Sequence, residues 1–266
     1  MKSFIPVWAK ILASFGFILI YIPIIVMICY SFNSGKLSSV WTGFSFKWYL
    51  QIFTDQKLMS GLIKSILIAS ISATLSLFLG FLLAFSLTKI KRFWGKNILS
   101  FLSIAPIVMP EVVIGLSLLL FFISLEILIG WPSGRGLITI IIAHSTFGMC
   151  FVALVIQARL LKFENHLIES ASDLGANNTN IIFTIILPLI SQSLFAGWLI
   201  AFTISFDDLV IASFVSGPGS STLPIIIFSK VRLGVSPDIN ALATIIIIVV
   251  SMLVILMTFL FNKRNS

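Results

Sequence analysis

The sequence predicts an all-α integral membrane protein with six transmembrane helices, and three observations carry that prediction. Of 266 residues, 59% are hydrophobic and only 10% are charged, against about 25% charged in soluble globular domains. The mean hydropathy of +1.15 implies more apolar surface than a soluble core of this size can hide. The third observation is arrangement: uncharged runs long enough to cross a hydrocarbon core of about 30 Å alternate with short charged segments. The net charge of +8 does not point to nucleic acid, because the basic residues are scattered between apolar runs, where they act as membrane-flanking anchors. Cys29 and Cys150 each lie inside an apolar run and read as small buried hydrophobes rather than a disulfide or metal pair.

Each span has its own signature. Lys2 and Lys10 precede an uncharged run from Ile11 to Gly35. It is too long for a secretory signal and lacks a small-residue cleavage site, so it predicts a first span near 11–31, with Pro23 tolerated inside it. Residues 32–59 form a mixed loop with Trp41, Trp48 and Tyr49, residue types that favour the membrane–water interface. The second span lies between Lys64 and Lys89, followed by the short basic loop Lys89, Lys91, Arg92 and Lys96. The third runs from about Ile98 to Leu125, broken by Pro106, Pro110 and Glu111. Gly130-Trp131-Pro132-Ser133-Gly134 reads as a turn. The fourth span is about 137–158, the fifth extends from near Pro188 to about Phe214, and the sixth lies between Asp238 and Lys263.

Orientation follows from the basic residues. With the N-terminus inside, ten Lys and Arg fall on inner segments and seven on outer ones. The short 89–96 loop, where the positive-inside rule is most reliable, decides the direction. Both termini are then cytoplasmic, and so is the loop between spans four and five.

That loop holds the one amphipathic segment, a helix near 164–176. Leu167, Ile168, Ala171, Leu174 and Gly175 share a face at helical spacing, while Glu164, Asn165, Glu169 and Asp173 take other faces. Gly175 stands where a helix ends. Asn178 or Thr179 would cap the next helix, which carries Pro188 near its start. A loop helix lying on the membrane surface has the same pattern.

Several kinds of chemistry are absent from the sequence. There is no Gly-x-x-x-x-Gly-Lys-Ser/Thr run, and Pro218 removes an amide from Ser216-Gly217-Pro218-Gly219-Ser220. His144 and His166 lack His or Cys partners at helical spacing, which argues against a metal site. His144, on an apolar span, reads as a hydrogen-bonded packing residue. No serine sits in Gly-x-Ser-x-Gly. The chain therefore carries no energy-harvesting site of its own.

Glu169-x-Ala171, three residues to Gly175, nine to Ile185, then Leu187-Pro188 resembles the "EAA" loop of ABC importer permeases, with Ser170 departing from the motif. The resemblance implies the ABC importer type I permease (MetI-like) fold, a permease domain over 60–257 after a first span and periplasmic loop at 1–59, and a short cytoplasmic tail at 258–266. It implies that Glu169, Ala171, Asp173, Leu174, Gly175, Ala176 and Pro188 form the coupling segment that docks on an ATPase. Ser31-Phe-Asn-Ser34, Ala105-Pro106-Ile-Val-Met-Pro110-Glu111, Ser205-Phe206-Asp207-Asp208, Thr222-Leu-Pro224 and Gly234-Val-Ser-Pro237-Asp-Ile-Asn240 look like the inner-membrane permeases of bacterial polyamine importers. Gly130-Trp131-Pro132 and Asp208-Leu-Val-Ile-Ala-Ser213 look like the putrescine branch.

The implied partners are a second, different permease subunit, two ATPase subunits that bind ATP and Mg, a periplasmic polyamine-binding protein and membrane lipid. No cofactor and no nucleic acid are expected on this chain. A permease for spermidine or another small solute such as sulfate or iron is the alternative, followed by a membrane-embedded enzyme or sensor. A polyamine path calls for carboxylates, and ionisable groups inside a membrane face a cavity or a partner. Glu111, Asp207 and Asp208, with Pro110 at the broken third span, are the candidates. Glu111 is expected near the bilayer centre, about 13 residues into the third span. One aspartate is expected to face the path and the other a donor such as Lys230 or Arg232. Helix caps or structural ion pairs would use the same acids.

Overall fold

The computed structural model describes residues 6–35, 40–90, 92–162, 165–232, 234 and 236–262. Lys2, Lys36, Lys91, Glu164 and the tail from Lys263, all used in the loop and orientation readings, lie outside the described residues. The chain divides into two compact units, one formed by Met1–Ser60 with Ile226–Ser266 and the other by Gly61–Ile225.

In the first unit, α1 (Val7–Ser31) and α2 (Lys47–Thr54) both pack on α13 (Pro237–Asn262). Pro23 sits inside α1 without ending it. The described residues of the loop after α1 are folded rather than merely interfacial. Asn33 accepts the Thr42 amide at 2.9 Å and donates to the Val40 carbonyl at 2.7 Å. The buried Trp48 indole N–H donates to the Asn33 carbonyl at 2.6 Å. Phe32 stacks on Phe44, meets Phe46 edge-on and lies tilted against Tyr49. Helix α2 was hidden in the sequence by its shortness.

Lys230, on α12 (Leu223–Arg232), donates to Asp55 and to Asp238, at 2.8 Å each. Burial pulls the lysine down, but its bonds to Asp238 and Asp55 outweigh that and hold its pKa above the ordinary value. Burial would raise Asp55, yet the Lys230 bond and the amides of Leu58 and Lys57 hold it below the usual carboxylate range. Lys230 is thus committed to these two acids, and Arg232 lies over the Phe228 ring at 5.3 Å.

The second unit is built around α6 (Leu137–Leu161), which is buried along most of its length. Its neighbours are α3 (Gln56–Lys89), α4 (Lys96–Val108), α5 (Glu111–Ile129), α10 (Ser191–Asp207) and α11 (Val210–Val215). Apolar contact alone gives little preference over lipid, so small residues and interhelical hydrogen bonds set the packing. Ser72 and Ser76 of α3 donate to the carbonyls of Ile141 and Ser145 on α6, at 3.3 and 3.1 Å. A Cβ at Gly217 would stand 2.0 Å from the Arg135 carbonyl oxygen. Glycine is therefore required where the 130–136 loop crosses the segment after α11.

By length and composition, four helices of the described residues can cross a membrane: Trp8–Ser31, Gln56–Lys89, Glu111–Ile129 and Leu137–Leu161. A fifth is the bent pair Asn178–Leu189 and Ser191–Asp207. Six spans are thus not reached among the described residues: Lys96–Val108 and Pro237–Met252 are shorter apolar helices. The third expected span is divided into α4 and α5, and the fifth is bent by 71° and stops at Asp207, short of Phe214. Helix α3 starts at Gln56 rather than near Lys64, and its 34 residues give about 51 Å.

The orientation is testable with single cysteines in a background lacking Cys29 and Cys150. Ser220 lies in the expected outer loop but is only 2% exposed. The exposed Pro218 and Lys57 are better probes. Pro218→Cys and Lys57→Cys are expected to react with an impermeant thiol reagent from outside, and Ser172→Cys only after the membrane is opened. External labelling at Ser172 would invert the topology.

Candidate functional site

Helix α7 (Asn165–Asp173) ends in a left-handed turn. Gly175 has φ +82°, its amide donates to the Ser172 carbonyl at 2.9 Å, and the Ala176 amide donates to Ala171 at 3.0 Å. This pair of bonds is a Schellman cap, so Gly175 ends the helix as its backbone freedom allows. A Cβ at Gly175 meets nothing within 4 Å. Ala171 and Ala176 turn inward, against the cluster of Leu160, Ile181 and Ile186. Glu169, Asp173 and Leu174 point outward, and Leu174 is 89% exposed.

The expected shared face is therefore split. Leu174 follows the last helical residue, and the turn at Gly175 swings it away from Ala171. The next helix, α8 (Asn178–Asn180), is capped by Asn177, whose side chain accepts the Asn180 amide at 2.8 Å; neither Asn178 nor Thr179 is the cap. A π-helical stretch (Ile181–Ile186) leads into α9 (Leu187–Leu189) and the bend at Ile190. Pro188 cannot donate to the ladder and crowds the preceding turn, and the widened turn absorbs it. Pro188 thus sits at the bend, ahead of α10 rather than inside its first turn.

The candidate acids lie at two breaks. Pro110 separates α4 from α5 and precedes Glu111, the first residue of α5. Pro106 stays inside α4 and breaks nothing. Helix α5 alone has 19 residues, about 28 Å. Glu111 therefore opens a span-length helix instead of standing in the middle of a continuous one. One turn on, a Cβ at Gly115 would lie 2.6 Å from the Phe214 ring and 3.3 Å from Ile211 Cα. Helix α11 packs onto α5 at that point.

The second break follows Asp207. Asp208 is extended, with ψ 124°. Its carboxylate accepts the amides of Ile211 at 3.2 Å and Ala212 at 2.7 Å, capping α11. Its other partner is His144 of α6, whose Nε2 is 3.1 Å from Asp208 Oδ2. His144 Nδ1 lies 2.7 Å from Ser205 Oγ on the last turn of α10. The side chains of His144 and Asp208 are 2% and 6% exposed. Asp207, the last residue of α10, is exposed. The donor expected from Lys230 or Arg232 is therefore His144.

Serine, histidine and aspartate in a chain invite a hydrolase reading, but the order is wrong. A hydrolytic triad sets Nδ1 on the carboxylate and Nε2 on the serine. Here these are exchanged, and Ser205 is buried. Sequence reasoning found His144 as a hydrogen-bonded residue and missed both partners, which lie 61 and 64 positions away.

Comparison with known proteins gives the family. Residues 76–266 match the family model described as "Binding-protein-dependent transport system inner membrane component". The chain is 48% identical over 240 residues to the putrescine transport system permease protein PotI of Escherichia coli K12, covering 90% of this chain and 85% of that protein. It is 40% identical over 246 residues to the spermidine/putrescine transport system permease protein PotC of Haemophilus influenzae, covering 92% and 93%. A chain in the crystal structure of a bacterial ABC transporter involved in the import of the acidic polysaccharide alginate superposes with a TM-score of 0.71 at 15% identity, covering 94% of this chain and 93% of that one. The fold is thus that of an ABC importer permease, and the chain belongs to the family of binding-protein-dependent transport system inner membrane components.

Proposed function

We propose that this chain is the inner-membrane permease subunit of an ATP-driven polyamine importer, with putrescine as its substrate. It forms half of the translocation path and pairs with a second, different permease subunit. Two ATPase subunits, which bind ATP and Mg, dock on the loop around Glu169–Ala176, and a periplasmic polyamine-binding protein delivers the substrate. Both termini are cytoplasmic.

The observation that carries the substrate reading is the 48% identity to a putrescine permease along 90% of the chain. The exposed Asp207, beside the Asp208 that caps α11, supports it. A diamine carries two ammonium groups, and a carboxylate at a helix break, where the backbone already departs from the lipid-facing ladder, suits a cation path.

The test is uptake of labelled putrescine by vesicles holding the whole assembly, with unlabelled diamines, spermidine, sulfate and ferric iron as competitors. Saturable, ATP-dependent uptake displaced by diamines alone is expected. Displacement by spermidine at equal concentration would place this chain in the broader polyamine branch. Displacement by sulfate or iron and not by diamines would overturn the substrate.

A further inference from the structure

We propose that His144 is a positioning residue for the substrate path: it holds Asp208 inward across the break between α10 and α11 and leaves Asp207 as the acid of the pair presented to a passing cation. This rests on the permease reading above and adds to it a residue from a different helix.

The polarity of the hydrogen bonds is determined by chemistry. An ionised carboxylate only accepts, so the His144 Nε2 facing Asp208 Oδ2 carries a proton. The Ser205 hydroxyl both donates and accepts, so it satisfies Nδ1 whatever the charge of the ring. Asp208 then receives three donors: the imidazole and the amides of Ile211 and Ala212. Two of them belong to α11 and would survive loss of the histidine. The third ties the break to α6, the most buried helix of its unit.

Ser205 anchors the ring to α10 on the near side of the break, and Asp208 anchors it to α11 on the far side. His144 is therefore a brace across a point where the helical ladder stops. The direction of Asp207, the last residue of α10, follows from how that brace holds the two pieces.

Two conservative substitutions separate positioning from packing. Glutamine sets its amide N–H where Nε2 stands and keeps the Asp208 bond. Asparagine reaches only the Nδ1 position and keeps the Ser205 bond instead. Both are polar, and asparagine is one methylene smaller, so thermal stability of both variants is measured beside the kinetics. In the full assembly His144→Asn is expected to raise the KM for putrescine about tenfold with a maximal rate within about twofold of the parent, and His144→Gln to stay within about twofold in both.

A second readout needs no substrate. Leu209→Cys, in a background lacking Cys29 and Cys150, is expected to react several-fold faster with a cationic thiol reagent when His144→Asn is present, and at the parent rate with His144→Gln. If the two variants behave alike in the thiol reaction or in KM, whether both normal or both impaired, His144 is a packing residue and the proposal fails. If the parent assembly takes up no diamine, the substrate reading fails by itself, and the thiol reaction still decides the role of His144.

Discussion

Gly175→Asp is expected to abolish ATP-driven uptake while the chain still inserts and folds. At φ +82° a residue with a Cβ is strained by about 1–2 kcal/mol, less for Asp and Asn, whose side chains bond locally. A Cβ there meets no atom of this chain within 4 Å. The strain is small beside a typical domain stability of about 5–15 kcal/mol, so the turn survives. The new carboxylate stands beside the 89% exposed Leu174, on the surface proposed to enter the ATPase groove. Burying an unpaired charge in such a contact costs on the order of 3 kcal/mol or more, which is a factor of about a hundred in the docked population.

Gly175→Ala supplies the control, because it carries the strain without the charge and is expected to lose no more than about tenfold. The measurement is ATPase stimulation and putrescine uptake by the purified assembly, beside the yield of inserted protein. Uptake at the parent rate by Gly175→Asp would remove this loop from the coupling role.

The turn at Gly175 was legible because its signals are local. Gly175 follows a run at helical spacing and must take a left-handed backbone, and the Schellman bonds join residues no more than five apart. The broken third span was legible for the same reason, through Pro110. Pro106 misled because a proline near a helix end removes only one bond and leaves the preceding turns intact. The cap at Asn177 was misassigned by one residue, since three consecutive cap-forming residues differ only in where the preceding turn releases the chain. Leu174 was placed on the inner face because helical spacing was carried one residue past the helix. The partners of His144 were not legible at all. They depend on the register of α6 against α10, which cross closely where Gly197 faces Val152 and Gly148 faces Ala201 rather than at any motif. The same register decides which aspartate is free.

Asp207→Asn and Asp208→Asn are expected to fail in different ways. Asp207 is exposed at the end of α10, and its amide variant keeps the shape and loses the charge. A carboxylate about 4 Å from an ammonium group contributes about 4 kcal/mol at an effective dielectric of about 20, part of which desolvation removes. A rise in the KM for putrescine of about tenfold or more is therefore expected, with the assembly intact.

Asp208 is surrounded by donors. Oδ2 accepts from His144 and from the Ala212 amide, and Oδ1 accepts from the Ile211 amide. Whichever way an asparagine amide turns, its NH2 meets another N–H. Leaving a buried group unsatisfied costs about 1–3 kcal/mol, so Asp208→Asn is expected to lower the thermal stability of the purified assembly and its yield. Uptake per assembled complex then falls less than for Asp207→Asn. The two variants are compared by labelled putrescine uptake, by co-purification of the ATPase and by thermal unfolding. If Asp207→Asn transports like the parent while Asp208→Asn loses uptake with stability unchanged, the assignment is reversed: the carboxylate that meets the substrate is then the one held by His144, and the brace across the break must open for the cation to pass.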